Sequence, residues 1–330
     1  MTKKANIYDV AQLAGVSHQT VSRVLNNHAS LKSETREKVE NAIAQLDYRP
    51  NQAARQLVTS KSKMIGVLVV GSHLYGPASI RNAMEIEARA AGYTLVSISV
   101  SAHEPDTWHA GIEQLQRLNI DGVITIALPS EVIGKIKKYL PNTELVVVDT
   151  EPTKGYDVVN IDNHAGGRIA TEYLIELGHK KIAHVSGPAG AYEAEMRKLG
   201  YEDAMKNAKL IPEVFQGDWT ISTGFKLGEK ICSKKFTAIF CANDHLAIGV
   251  SRALTQNKFL IPEDVSIIGF DNIPESEYLE KSLTTIKQDF DALGKESLNK
   301  LLSRLNERTK AGTFMIKPTL IKRESTVKRK

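Results

Sequence analysis

The sequence predicts a small all-helical head followed by an α/β core of two doubly wound parallel-sheet lobes. Three observations carry this. Residues 6–48 hold three short helical patterns, the first two separated by Gly15. From Met64 onward, apolar runs short enough for buried strands alternate with amphipathic stretches long enough for helices. The length of 330 residues exceeds one small domain and suits a head plus one or two core domains.

Asn6 has the chemistry to cap a first helix whose third residue is Asp9, with Val10, Leu13 and Ala14 on one apolar stripe. Gly15 stops that helix. Ser17 caps a second, in which Val21, Val24 and Leu25 turn inward while His18, Gln19, Ser22 and Arg23 point away. This is a helix-turn-helix pattern. A third helix over Ser33–Tyr48 places Val39, Ile43 and Leu46 against the first two, and Pro50 ends it. Asn51 then caps a short segment through Val58, too short to be stable unless it packs on a second copy or on DNA. The polar run Thr59 to Lys63 reads as a boundary, dividing the chain into a head at 1–50, a hinge and linker at 51–63, and a core at 64–330.

The DNA major groove admits one helix whose first turn reaches base edges. Gln19 suits adenine and Arg23 guanine, each through a two-point contact, while His18 suits either a base edge or a phosphate. A three-helix bundle with a solvated polar face is the plainer alternative, and charge argues against it. Residues 1–63 hold ten Lys/Arg and five Asp/Glu, a net +5 equal to the excess of the whole chain, so residues 64–330 sum to zero. A small domain that carries all the net positive charge has the electrostatic footprint of a DNA-binding module.

In the core, strands are expected at Met64–Val70, Thr94–Val100, Gly122–Ala127 and Leu145–Asp149, with helices at Ala78–Ala91, Thr107–Leu118 and Glu131–Tyr139 between them. The scheme repeats, with strands at Lys181–Ser186, Ala238–Cys241 and Ser266–Phe270. Its helices fall at Ala165–Leu177, Glu193–Ala208, Ser222–Ile231 and His245–Asn257. Phe290–Leu305 reads as a late amphipathic helix, Ile316–Lys322 as a last strand, and the basic residues Lys322, Arg323 and Lys328 to Lys330 as a solvated tail. The first lobe then spans about 64–162 and 291–319, the second about 163–290 and 320–330.

Composition excludes several classes. Hydrophobic content of 42% and charged content of 25% are ordinary for a soluble protein. No opening apolar run resembles a signal peptide and no stretch approaches the roughly 20 apolar residues that cross a bilayer, so a cytoplasmic, nucleoid-associated protein is expected, with no membrane partner. Cys232 and Cys241 are read as reduced core residues, and no Cys/His spacing suggests a metal. The chain lacks Gly-x-Ser-x-Gly, a Walker loop, His-Glu-x-x-His and Gly-x-Gly-x-x-Gly, so no enzyme is expected and no cofactor is needed. His245 beside Asp244 reads as a helix start.

Ligands of doubly wound sheets bind beyond the carboxyl ends of the strands. Asp149, Asn243 with Asp244, and Asp271 with Asn272 fall there, with Arg197 and Trp219 in the intervening segments. Carboxylates, an amide and a guanidinium engage neighbouring hydroxyls, and an indole packs on the apolar face of a pyranose, which suits an uncharged sugar. Singly, each has a plainer reading as a cap, a turn or a core residue; their joint placement favours binding.

The runs Tyr8-Asp-Val-Ala, Gly15-Val-Ser, Thr20-Val-Ser-Arg-Val and Thr35-Arg-Glu-Lys-Val resemble the headpiece of the lactose/galactose repressor family, LacI/GalR. The likeness continues through Gly217-Asp-Trp, Ala242-Asn-Asp and Leu283-Thr-Thr-Ile-Lys-Gln-Asp-Phe290. The resemblance implies a homodimeric repressor with a periplasmic-binding-protein-like core, bound to a near-palindromic double-stranded operator and released by a sugar effector, a galactoside of lactose-type catabolic genes. A non-galactoside effector, or a small molecule acting as corepressor, is the alternative within the family.

The resemblance assigns DNA contacts to Ile7, Tyr8, Ser17, His18, Gln19, Ser22, Arg23, Asn26, Thr35, Asn51, Ala54 and Leu57, the last as a wedge in a minor-groove base step. It assigns the sugar pocket to Leu74, Ile80, Asp149, Arg197, Trp219, Asn243, Asp271, Gln288 and Phe290. Val70 and Ile126 stand where a galactoside-responsive member carries serine and asparagine, and Glu85 where it carries lysine on a helix at the dimer interface. The late helix is expected to cross back to the first lobe. Only Ser325–Lys330 follows the last strand-like segment, so no tetramerising helix is expected and a dimer is.

Overall fold

The computed structural model describes residues 5–25, 31–48, 61–101, 104–307 and 310–329. Asn26, Pro50, Asn51, Ala54 and Leu57, and with them the hinge segment, lie outside the described residues. The chain divides into two units, 1–62 and 63–330.

In the first unit, α1 (Ile7–Ala14), α2 (His18–Leu25) and α3 (Ser33–Gln45) enclose a small core of Val10, Ala11, Ala14, Val21, Val24, Val39 and Ala42. The Asn6 side chain accepts from the backbone of Tyr8 and Asp9 while the Asp9 carboxylate accepts from the Asn6 N–H, a reciprocal capping box. Gly15 ends α1 at φ 65°, a conformation that costs an L-residue but not glycine. Leu13 departs from the expected stripe. It is 50% exposed and Ala11 takes its inward place, because the first helix turns Val10, Ala11 and Ala14 together toward α3. Helix α3 ends at Gln45, three residues short of the expected end, as Asp47 turns left-handed at φ 41°.

The second unit holds two six-stranded sheets. The first runs β2 (Thr94–Val100), β1 (Met64–Val70), β3 (Gly122–Ile126), β4 (Glu144–Val148), β5 (Asp157–Ile161) and β11 (Thr313–Ile316), all parallel. The second runs β7 (Glu213–Gln216), β6 (Ile182–Ser186), β8 (Ala238–Cys241), β9 (Ser266–Asp271), β10 (Thr284–Lys287) and β12 (Thr319–Ile321), with β12 antiparallel. Helices α4 (Tyr75–Ala90), α5 (Pro105–Arg117) and α6 (Ser130–Tyr139) flank the first sheet. Around the second lie α7 (Asn163–Glu176), α8 (Tyr192–Asn207), α9 (Ile221–Cys232) and α10 (Asp244–Gln256). Helix α11 (Phe290–Asn306) follows β10 but packs against α4 in the first lobe. The chain therefore passes between lobes near Asp162, near Gln288 and near Pro318.

Two sequence expectations change here. The single last strand at Ile316–Lys322 is two strands in different sheets. Pro318, which lacks an N–H for a ladder, stands between them. Of the basic tail, Lys322, Lys328 and Arg329 are exposed as expected, whereas Arg323 is tied down. Arg323 donates to the Leu283 carbonyl at 2.8 Å and to Asn272 Oδ1 at 2.8 Å, and the Ser325 hydroxyl donates to the Ile267 carbonyl at 2.6 Å. Among the described residues no helix is long and apolar enough to cross a membrane.

Candidate functional site

A cavity of about 490 Å³ opens at the carboxyl ends of both sheets. From the first lobe it is lined by Val70, Leu74, Tyr75 and Asp149, and from the second by Glu193, Arg197, Trp219, Asn243 and Asp271. Gln288 and Phe290, on the middle crossing between the lobes, complete it. The backbone at the strand ends is bent to present these groups. Ala127, Asp149 and Asp271 stand at φ 56°, 50° and 103°, all left-handed conformations that cost a non-glycine residue energy and concentrate at ligand sites.

Arg197 is the hub of the polar side. It is 4% exposed. Its Nε donates to Asn163 Oδ1 at 2.8 Å and its Nη1 to the Ala242 carbonyl at 2.6 Å, with Asp271 Oδ1 3.6 Å away. The guanidinium lies 3.9 Å from the Phe270 ring centre and 5.5 Å from that of Trp219, within cation–π range of both. Close helix packing sets this position: a Cβ on Gly167 of α7 would come within 2.2 Å of the Arg197 backbone oxygen on α8. Similarly, a Cβ at Gly187 would fall 2.3 Å from the Trp219 indole, so glycine there lets the ring lie against the chain.

Asn243 does double duty. Its Oδ1 caps α10 through the Leu246 N–H at 2.8 Å while its Nδ2 donates to the Trp219 carbonyl at 3.2 Å, holding the indole loop. Gln288 Nε2 donates to Asp271 Oδ1. Burial pushes the Asp271 carboxyl up to about 6, opposed by Arg197 and Gln288. Burial also lifts Asp149 to about 7, reinforced by the charge of Glu193 and opposed by Arg197. One Asp149 oxygen is buried with no hydrogen-bond partner.

Eight of the nine residues expected at the ligand thus share one cavity: Leu74, Asp149, Arg197, Trp219, Asn243, Asp271, Gln288 and Phe290. Ile80 is the correction. It is fully buried in the first-lobe core with Met84 and Phe290, on the sheet-facing side of α4, and is not among the residues that line this cavity. Of the two departures at pocket positions, Val70 lines the cavity while Ile126 lies in that same core. Asp244 and Asn272, at strand ends, serve structure. Asp244 accepts from the Thr285 hydroxyl at 2.6 Å and the Ile273 N–H at 2.8 Å, and Asn272 accepts from Arg323. The cavity also holds residues the sequence reading missed, among them Tyr75 and Glu193. Glu193 had a signal, standing four residues before Arg197 and so on the same helix face; Asn163, which orients Arg197, had none.

In the first unit, Tyr8, Ser17, His18, Gln19 and Arg23 are exposed, and Ile7, Ser22 and Thr35 are half-buried. The Tyr8 and His18 rings meet at 5.2 Å, so α1 and α2 join in one face. Tyr8, 64% exposed, is far more open than a core tyrosine. The Ser17 hydroxyl accepts from the Thr20 N–H at 3.2 Å, which starts α2 and fixes the direction of His18 and Gln19.

Residues 6–51 match the model of bacterial regulatory proteins of the lacI family, and residues 171–326 that of a periplasmic binding protein-like domain. The chain is 31% identical over 329 residues to the lactose operon repressor of Escherichia coli K12, covering 98% of this chain and 91% of that protein. The chain belongs to the LacI family. The HTH-type transcriptional repressor PurR of Klebsiella pneumoniae strain 342 is 34% identical over 331 residues, covering 97% of this chain and 96% of its own. Among solved structures, the lac repressor dimer bound to operator and the anti-inducer ONPF superposes with a TM-score of 0.90 at 31% identity, covering 98% of this chain and all of that one. A LacI-family headpiece and a two-lobed core are thus joined in one chain, with a polar, partly apolar-walled cleft in the core. As a member of this family, the protein is a DNA-binding repressor with a periplasmic binding protein-like effector domain.

Proposed function

We propose that this LacI-family repressor acts as a homodimer on a near-palindromic operator and is released from it by a sugar in the interlobe cleft, a galactoside. It works as a regulator without a resident cofactor and not as an enzyme. The observation that carries the reading is the joint placement of Arg197, Asp271, Asn243 and Asp149 around one cavity with the Trp219 indole on its wall. Polar groups that each engage adjacent hydroxyls, with an aromatic face for the apolar side of the ring, match a pyranose. The relatedness to the lactose operon repressor supports the galactoside, while the comparable relatedness to PurR keeps a different effector, or a corepressor, as the second reading.

The mechanism follows from where the cleft sits. Gln288 and Phe290 belong to a crossing between lobes, and Asn163, which holds Arg197, begins the helix after another. A ligand bridging the walls therefore biases the relation of the two lobes, and through it the spacing of paired headpieces on DNA. Two-fold symmetry of the dimer calls for two similar half-sites, read by Gln19 and Arg23, with His18 and Tyr8 alongside. Asn26, Asn51, Ala54 and Leu57 complete the assigned contacts. Phosphate contacts make operator affinity fall with salt.

Fluorescence anisotropy on a labelled palindrome from the DNA upstream of the gene, at fixed salt, tests the reading with a panel of galactosides and other sugars. Release by a galactoside is the expected result. Tight binding that no sugar relieves would discard the inducer role, and tightening by a small molecule would establish the corepressor.

A further inference from the structure

The cleft holds more carboxylate than its cation balances. Its lining includes Glu131, Asp149, Glu151, Glu193, Glu195 and Asp271 against one arginine, Arg197, and no lysine. Among the described residues two of the six have side-chain partners: Glu195 pairs with Lys198 at 2.7 Å, and Asp271 lies beside Arg197 and Gln288. Among the described residues neither Asp149 nor Glu193 takes part in an ion pair. Asp149 is 9% exposed, takes a hydrogen bond from the Ile161 backbone, and has its other oxygen buried without a partner. Glu193 stands in the first turn of α8, four residues before Arg197, and its charge is felt at Asp149.

A buried acceptor left open costs free energy until something donates to it. The two carboxylates lie on opposite lobes, one at the end of β4 and one on α8, so a ligand satisfying both bridges the cleft. Resting on the sugar reading above, we infer that Glu193 is a second effector-contacting carboxylate. With Asp149 it forms an acceptor pair that selects a polyol without anionic groups and rejects its phosphorylated form. A sugar hydroxyl or amine supplies the missing donor. A phosphorylated sugar keeps its other hydroxyls, but its dianionic phosphate only accepts and brings up to two negative charges into a poorly solvated space already lined with acidic groups, with one guanidinium that is occupied by Asn163, Ala242 and Asp271.

The test is calorimetric titration of the full-length protein with galactose, galactosamine and galactose 6-phosphate, extended to the glucose and ribose series, followed by the same titrations of Glu193→Gln. The expected order is amino sugar at least as tight as neutral sugar, with the phosphorylated form about 100-fold weaker or undetectable. Glu193→Gln should weaken the neutral and amino sugars about tenfold or more and narrow the gap to the phosphorylated one, the loss of a charged hydrogen bond and of a repulsion. Unchanged operator affinity in the variant shows that it is folded. A phosphorylated sugar bound as tightly as its parent, or a Glu193→Gln protein with the same ranking and affinities, overturns the inference while leaving the sugar reading intact. If no sugar in any form binds, the sugar reading itself fails and the inference falls with it.

Discussion

The two lobes share a topology yet put different chemistry at the ends of their strands. In the first, β1 ends in the apolar Val70 and Ala127 follows β3, while Glu131, Glu151 and Asp149 supply the carboxylates of that wall, and Asp149 keeps one buried oxygen unsatisfied. In the second, Arg197, Asn163, Asp271 and Gln288 form a connected network around the strand ends and α8, and Asn243 beside them is satisfied by the Leu246 N–H and the Trp219 carbonyl. One wall is pre-organised and the other is waiting. The difference teaches why a two-lobed site senses its ligand: a ligand docked on the finished network supplies the donor that the first lobe lacks, and so draws the lobes into one arrangement.

The largest effect should come from breaking the finished side. Arg197→Ala leaves Asp271, Asn163 and the Ala242 carbonyl without their partner, and loss of one member of a buried charge pair costs about 3–5 kcal/mol. Urea denaturation should show that loss, and operator anisotropy should show DNA binding retained with no response to sugar. A response of ordinary size would remove Arg197 from the ligand site.

Next comes the waiting side. Burial raises folded Asp149 from 3.8 to about 7, so between those values the folded chain keeps a proton that the unfolded chain has released. The stability this group contributes is full below about pH 4 and lost as pH rises toward 7. Asp149→Asn should therefore match the parent near pH 4 and exceed it by up to about 4 kcal/mol at pH 8, measured by thermal or urea unfolding across that range, while binding sugar more weakly. A gain at acid pH instead would contradict the assignment.

Smaller effects sharpen the comparison. Arg23→Ala, in the headpiece, should relax base preference by about 1–3 kcal/mol in operator-variant titrations and leave sugar affinity alone. Unchanged base preference would make Arg23 a phosphate contact. Val70→Ser places a hydroxyl on the apolar wall; we expect less than about 1 kcal/mol in stability and a reordering of the sugar panel by less than tenfold. A larger reordering would show that the first lobe discriminates among sugars more than its apolar wall suggests.

Much of this was legible in the sequence where local chemistry and periodicity agree. The Asn6 and Asp9 box, the Gly15 stop and the strand at Met64–Val70 emerged as expected. What stayed hidden were elements whose polarity is satisfied at long range. Strand β10 carries Thr284 and Thr285, buried because Ser325 and Asp244, some forty residues away, receive their bonds. Arg323 in the tail looked solvated for the same reason, since its partners come from loops elsewhere in the second lobe. In the site, residues that end strands were readable, whereas Ile80 was carried over by resemblance and proved to be a layer behind. Glu193 was overlooked because a glutamate in a first helical turn ordinarily serves the helix.

The central claim is that cleft and operator are coupled, and coupling is reciprocal. It is tested most directly by calorimetric titration of galactosides and other sugars into the protein free and saturated with operator. The account predicts a galactoside that binds the free protein more tightly, by the same factor by which that sugar weakens operator binding. Equal affinity for the free and operator-bound protein would contradict it.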